Sequence, residues 1–530
     1  MKLKEGTRFL KHCVTVGPGE AGRRIREKRE DERIRRELER NPSVSGFLSP
    51  PDRMAQEKAS AGESLCFHAV FYTSAASGAL DAFPDSVRRE ALQSLADQTL
   101  KPADIADGLF QAGEGDWMVF LEPDGFLHPS ALYLCAKCAG ETGAEMIYAD
   151  EDFFTDCPGD RFSPYFKPDY GPESLPGCNV AGPFLACRCS LLKRAGAEDF
   201  AAADPDRRWD LTLRLAEAAE GKIAHLPRIL YYRRLPAGAP VPLPPLRRVS
   251  GPVQGQPLVS ILIPNKDHIA DLKRCVDSIR EKTAWLRYEI VVIENNSAEE
   301  DTFRYYRELE RDGRIRVVTR QGSFNYAALN NLGVRESRGE QILLLNNDTE
   351  VISPSWIQEM LLYTQRPDVG AAGAKLYYPD GTIQHAGIGI GIKMLAGHYH
   401  RGFPGDSPGY FGRLNYAQDV SAVTAACMMI PRSVYESLNG MDETFPVVFN
   451  DVDLCLRIRH SGKRIVWTPW AELTHYESLS RGPDEDTPEK KRFFVRETNR
   501  FLRRWYRELE KGDPYYNPNL TRWAEDFSVR

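Results

Sequence analysis

Apolar residues in the second half of the chain fall in short continuous runs: LVSILIP (258–264), EIVVIEN (289–295), IRVVT (315–319) and QILLLNND (341–348). Amphipathic stretches separate them, including a helical pattern over 324–336. A short run with no polar alternation reads as a strand covered on both faces. Strands alternating with helices of about 10–15 residues predict an α/β fold, a mostly parallel sheet flanked by helices. Ligands bind beyond the carboxyl ends of such strands. That directs attention to Pro264–Asp267, Glu294–Ser297 and Asn346–Asp348, three polar clusters.

The first half repeats part of this pattern. GDWMVFLEPDGFLHPSAL (115–132) parallels GEQILLLNNDTEVISPSW (339–356). WDLTLRLAEAAEGKIAHLPRILYY (209–232) parallels VDLCLRIRHSGKRIVWTPWAELTH (452–475), in the same order. Two tandem copies of one fold are therefore expected. The first copy has a strand in CFHAVFYT (66–73) and a helix in SVRREALQSLADQT (86–99). It then reaches its acidic tip early: 51 positions separate Thr73 from Asp124, against 84 between Pro264 and Asp348. The shortfall predicts loss of the second strand and of the helix that would hold a nucleotide.

Punctuation divides the chain further. Residues 21–40 carry 15 charged side chains in 20, and 41–62 are polar with Pro50-Pro51, so 1–62 reads as a charged helical or flexible segment. Seven prolines between Pro236 and Pro257 mark a linker over 236–256. The units expected are thus 63–235, a truncated copy, and 257–482, a complete one. Residues 483–530 form a helix and tail. That helix carries Phe494, Phe501, Leu502 and Trp505 on one face, ringed by bases. It either lies on an anionic membrane surface or packs on the preceding domain, and acids at Glu497, Glu508 and Glu510 favour packing.

Composition narrows the classes. With 42% hydrophobic residues, 27% charged and a net charge of −6, the chain is neither disordered nor a general nucleic-acid binder. No apolar run is long enough to span a bilayer, and the N-terminus lacks the apolar core of a signal peptide. Eleven cysteines are an odd number without zinc-finger spacing. Cys135 and Cys138 are expected to pack in a helix, and a reducing, cytoplasmic location is expected.

Candidate chemistry sits at the strand ends. Asp348, at the tip of a buried strand, is either a metal carboxylate or a cap for the helix after Pro354. Asp451 and Asp453, after Asn450, begin a helix as caps or as a general base. His475 follows an apolar stretch as a packed residue or a ligand. The irregular segment 396–418 reads as an acceptor-side loop, with His398, His400 and Tyr410 as its contacts. Gln384-His385 lies in a glycine-flanked turn, near a donor or packed.

Together PNKD, VIENNS, FNYAALNNLGV, LLLNND, GAKLYYPDGTIQHAG, AVTAACMMIPR and FNDVDLCLRIRHSGKRIVWTPWAELTHYESLSRG resemble the family 2 glycosyltransferases of the GT-A fold. The resemblance covers about residues 257–482. It implies a Rossmann-like α/β domain that transfers a hexosyl or deoxyhexosyl unit with inversion from a UDP-, dTDP- or GDP-linked donor. It implies a glycan or lipid-linked acceptor in surface polysaccharide synthesis, and Mn²⁺ or Mg²⁺. No nucleic acid is expected as a partner. A peripheral contact at the inner face of the membrane is compatible with it.

Carried over by position, Pro264, Asn265, Asp267, Glu294 and Asn296 fall where the family binds base and ribose. Asn325, Asn330 and Asn331 fall beside the donor. Asn346, Asn347 and Asp348 occupy the DxD segment, with Asp348 as metal carboxylate and Asn346 in place of its first acid. Asp451 matches the catalytic base, His475 an additional metal ligand, and Asp453 joins the acceptor side. In the first copy Glu122-Pro123-Asp124 resembles the DxD. Arg208 stands at the base position, and Tyr232 or Arg233 stands at that of the histidine. An arginine cannot take a proton at neutral pH, so an inactive copy is expected. Tyr148, Asp150, Asp152, Tyr165 and Lys167 form its polar segment. Two rivals are a two-site polymerase, which Arg208 opposes, and a non-catalytic glycan-binding scaffold, which Asp348, Asp451 and His475 oppose.

Overall fold

The computed structural model describes residues 65–71, 85–98, 100, 102, 104–106, 113–122, 124–155, 160–197, 205–476 and 488–530. The expected charged segment and connector within 1–62 lie outside the described residues. Residues 65–530 form one compact unit built on two large mixed sheets.

The first sheet holds β1 (Phe67–Phe71), β2 (Asp104–Ala106), β3 (Trp117–Leu121), β4 (Gly125–Leu127), β5 (Met146–Phe154), β6 (Arg161–Tyr165), β7 (Leu185–Arg188) and β8 (Ile223–Arg234). The second begins with β9 (Val259–Asn265), β10 (Tyr288–Glu294), β11 (Ile315–Thr319) and β12 (Gln341–Leu345). It continues with β13 (Thr349–Val351), β14 (Val369–Tyr377) and β15 (Ile383–His385). After a separate hairpin of β16 (Ile388–Ile390) and β17 (Ala396–His398) come β18 (Gln418–Val420), β19 (Cys427–Pro431) and β20 (Arg464–His475).

The four apolar runs predicted as strands are β9 to β12, which pair in parallel in the order β11-β10-β9-β12. Alternate side chains serve two cores. Ile261, Ile263, Ile290, Val292, Leu343 and Leu345 pack on one face against the helices Ile269–Lys282 and Trp356–Thr364. Leu262, Val291, Ile293, Ile342 and Leu344 pack on the other against Tyr326–Glu336 and Asn450–His460. Burial on both faces is why these strands lack polar alternation.

Beyond β12 the expectation of a mostly parallel sheet needs correcting. β19 runs antiparallel to both β12 and β14, and β13 antiparallel to β20, so the sheet is mixed. Short apolar strands such as CMMIP carry no signal of direction.

The first sheet runs β2-β1-β3-β7-β5-β8-β4, with β6 beside β5. The second runs β10-β9-β12-β19-β14-β20-β13 beyond its edge strand β11, with β15 beside β14. Each neighbouring pair has the same relative direction in both sheets. The expected loss of the second strand is corrected by β2, which takes that place; among the described residues the strands of the second sheet without a counterpart are β11 and β18, which pairs with β20.

The chain from 235 to 258 is extended and proline-rich, without helix or ladder strand, and joins the two sheets. The closing helix, Pro488–Lys511, buries Phe501 and Trp505 in the core of the second sheet, so its aromatic face is packed.

Candidate active site

A cleft of about 670 Å³ opens at the carboxyl ends of β9, β10 and β12. Eight of the sequence-predicted residues line it: Pro264, Asn265, Asp267, Asn346, Asn347, Asp348, Asp451 and His475. Pairing of Thr349 with His475 in β13 and β20 brings the histidine beside the aspartate that ends the β12 turn.

Asp348 Oδ1 lies 3.1 Å from His475 Nε2. His475 Nδ1 faces Gln384 Oε1 at 2.6 Å, an acceptor, so this nitrogen carries the ring proton. The Nε2 atom meets a carboxylate oxygen that is buried without a hydrogen-bond partner. Two such atoms repel unless a proton or a cation lies between them. One carboxylate oxygen and one imidazole nitrogen are donors suited to Mn²⁺ or Mg²⁺, so the residues present fit a divalent ion. Asn346 adds its amide 3.2 Å from the same Nε2.

Asp451 stands in the first turn of Asn450–His460. Its Oδ1 accepts from the Val452 N–H at 2.8 Å and its Oδ2 from the Ala425 N–H at 3.2 Å. Tyr326 ties this side of the cleft to the ion side, donating to the Ala425 carbonyl at 3.0 Å and lying 3.2 Å from Asn346 Oδ1. Burial, then the charge of Asp451, pushes its phenol well up, so it stays a donor.

The remaining wall is built by polar side chains that fix loops. Asn265 donates to the Asp267 carbonyl and the Tyr306 hydroxyl, and accepts from Asn347 at 2.6 Å. Asp267 has a left-handed φ of 50° and receives the Ala298 and Glu299 N–H groups. Glu294 lies behind the wall, bound by the Ser297 hydroxyl and the Tyr306 hydroxyl. Asn296 donates to the Gly322 carbonyl.

The structure does not bring the other expected residues into the cleft. Asn325 caps Tyr326–Glu336 through the Ala328 N–H. Asn330 is fully buried, donating to the Tyr326 carbonyl. Asn331 locks the turn around Met441, bonding its N–H and its carbonyl. Asp453, expected on the acceptor side, is buried against Arg457 at 2.8 Å and the Trp505 indole at 3.0 Å. His400 stacks on Phe527 at 4.3 Å, and burial holds its ring well below the ordinary histidine range. Tyr410 donates to the Pro164 carbonyl. His398 approaches His385 at 2.9 Å, and its own N–H donates to Glu525. The segment 396–418 therefore bridges the two sheets and the C-terminal tail, and His398, His400 and Tyr410 do not line the cleft. Its aromatics have partners more than a hundred residues away.

Several lining residues were not singled out from sequence. Lys266 and His268 follow β9, and Asn295 follows β10. Phe324, Tyr326, Thr424 and Val447 close the cleft. Lys266 was legible in PNKD; Thr424 and Val447 come from loops whose approach depends on tertiary packing.

The corresponding end of the first sheet carries guanidinium groups instead. Gly125 pairs with Arg233 as Thr349 pairs with His475, so Arg233 holds the histidine's register. Glu122 is bound by Arg208 at 2.8 Å and by Arg233 at 3.2 Å. Arg233 also reaches Glu151, which pairs with the fully buried Lys167 at 2.9 Å. Burial alone would raise the Glu151 carboxyl, but Lys167 and Arg233 hold it below its ordinary value. Asp150 accepts from the Lys167 N–H, from His225 and from Asn517 of the tail. Tyr148 donates to the Pro168 carbonyl, and Tyr165 stacks on Phe411 at 4.2 Å.

Residues 260–438 match the model of glycosyl transferase family 2. The matched segment spans nearly all of β9 to β12 and most of the cleft, and ends before Asp451 and His475. The chain is 40% identical over 462 residues to the uncharacterized protein y4gI of Sinorhizobium fredii, covering 80% of this chain and 50% of that protein. It is 36% identical over 457 residues to the O-antigen biosynthesis protein RfbC of Myxococcus xanthus, covering 79% of this chain and 35% of that one. The chain thus spans half or less of the length of these relatives. Among solved structures, GalNAc-T7 with UDP, GalNAc and Mn²⁺ is similar at 15% identity and a TM-score of 0.39, over 48% of this chain and 49% of that one.

Proposed function

We propose that the chain is an inverting glycosyltransferase that moves a sugar from a nucleoside-diphosphate donor to a glycan or lipid-linked glycan in surface polysaccharide synthesis. The observation that carries the reading is the convergence of Asp348, His475 and Asp451 on one cleft, most of it lined by the segment that matches family 2. The name of the Myxococcus xanthus relative supports the polysaccharide context.

In this reading the polar ends of β9 and β10, through Pro264, Asn265, Asp267 and Asn295, receive the base and ribose. Asp348 and His475 hold the divalent ion, which supplies charge neutralisation for the leaving diphosphate. Asp451 takes the proton of the acceptor hydroxyl, whose oxygen attacks the anomeric carbon as the bond to the diphosphate breaks. No side chain forms a covalent intermediate, so the configuration inverts in one displacement. Tyr326 keeps Asn346 and the Ala425 carbonyl in place beside Asp451.

The first sheet is read as a degenerate copy, supported by the shared strand order. Arg208 and Arg233 neutralise Glu122 where the second sheet would hold an ion, and neither can act as a base.

A panel of UDP-, dTDP- and GDP-sugars tests the reading by thermal shift with and without Mn²⁺. One donor class is expected to raise the melting temperature only with the ion present. Asp348→Ala is expected to lose that shift. If no donor stabilises the chain under either condition, the reading fails.

A further inference from the structure

At the opposite, amino-terminal end of the parallel strands of the first sheet lies a second group of metal-binding side chains. Cys66 immediately precedes β1, His68 is its second residue, and Asp116 immediately precedes β3. β1 and β3 pair in parallel with Phe67 opposite Trp117, and the Trp117 N–H donates to the Cys66 carbonyl at 2.8 Å. This register sets Cys66 beside Asp116, and strand alternation turns Cys66 and His68 to the same face.

The Cys66 thiol is 3.6 Å from His68 Nε2, and Asp116 Oδ2 is 3.2 Å from the same nitrogen. All three donor atoms lie within 4.8 Å of one another. Asp116 Oδ2 also accepts from the Gly113 N–H at 2.7 Å. A thiol–imidazole–carboxylate relay would place thiol and carboxylate on opposite ring nitrogens. Here both meet Nε2, and one proton cannot be aimed at both. The spacing is instead that of three donors around one ion. With Zn–S about 2.3 Å and Zn–N and Zn–O about 2.0–2.2 Å at tetrahedral angles, S···N is about 3.6 Å and N···O about 3.3 Å.

Thiolate, imidazole and carboxylate together select zinc over Mg²⁺ or Mn²⁺.

We propose that Cys66, His68 and Asp116 form a three-residue zinc site that clamps the start of β1 to that of β3. It is separate from the Asp348–His475 pair, which lies at the carboxyl ends of the other sheet.

The test uses the full chain carrying Asp348→Ala and His475→Ala, stripped with a chelator and reloaded with Zn²⁺ or Co²⁺. One equivalent of metal should survive gel filtration, the Co²⁺ form should show a thiolate charge-transfer band, and Zn²⁺ should raise the melting temperature. In that background, Cys66→Ser and His68→Ala should each weaken zinc affinity by about tenfold or more, measured against a chromophoric chelator. Cys138→Ser, on the helix Ala131–Thr142, should not. Failure of the parent protein to retain metal, absence of the band, or undiminished affinity in His68→Ala would each overturn the proposal.

Discussion

At the scale of single residues, the site depends on which atom of each side chain is left available. Gln384 accepts the Nδ1 proton of His475 at 2.6 Å and donates back to the His475 carbonyl. It thereby fixes the tautomer that turns Nε2 toward Asp348. Gln384→Ala should weaken Mn²⁺ binding by about 10–100-fold, read by titration of the free-ion electron paramagnetic resonance signal. Elsewhere, Asp152 is buried with one oxygen unpartnered, and burial pushes its carboxyl up to about 7, with Arg161 opposing. A carboxyl raised in the fold binds its proton more tightly there than in the unfolded chain. Its contribution to stability is complete below about pH 4 and is lost as pH rises to about 7. Asp152→Asn should therefore flatten the fall of melting temperature between pH 5 and pH 8, measured by calorimetry. Asp348, Asp451 and His475 were legible in the sequence because each follows or begins a strongly patterned element. His400 and Tyr410 were not, since Phe527 and Pro164, which bury them, lie far away in the chain.

Among the elements, the closing helix does more than cover the core. Glu497 accepts the Val447 and Val448 N–H groups at 3.0 and 2.8 Å. Phe501 stacks on Phe449 at 4.7 Å, and Phe449 enters the Asp451 helix with a φ of +60°. Trp505 anchors Asp453 on the same helix. The helix Pro488–Lys511 thus sets the loop that delivers the proposed base. Glu497→Ala should leave two N–H groups without their partner, costing about 1–3 kcal/mol of stability. It should lower kcat more than donor affinity, as steady-state kinetics beside donor titration would show. The existence and type of β9 to β12 could be read from their apolar runs. The direction of β19 and the three-residue β2 could not, because short strands carry little pattern.

For the whole molecule, two sheets of matching strand order differ in the charges at corresponding ends. The second sheet gathers Asp348, Asp451 and His475; the first gathers Arg208 and Arg233 around Glu122. One nucleotide-sugar should therefore bind per chain in calorimetric titration, and Asp124→Ala should leave the transfer rate unchanged. The shared strand order was foreshadowed by two ordered sequence blocks. The packing role of the first sheet was not, because the contacts of Asn517 with Asp150 and of Tyr410 with Pro164 join distant segments.

The central claim is that Asp451 deprotonates the acceptor over a donor held at Asp348 and His475. Its most direct test is the single-turnover transfer rate of Asp451→Asn beside its Mn²⁺-dependent donor affinity. The rate should fall by about 10²–10⁴-fold with donor affinity retained. Equal rates in the variant and the wild type would contradict the account.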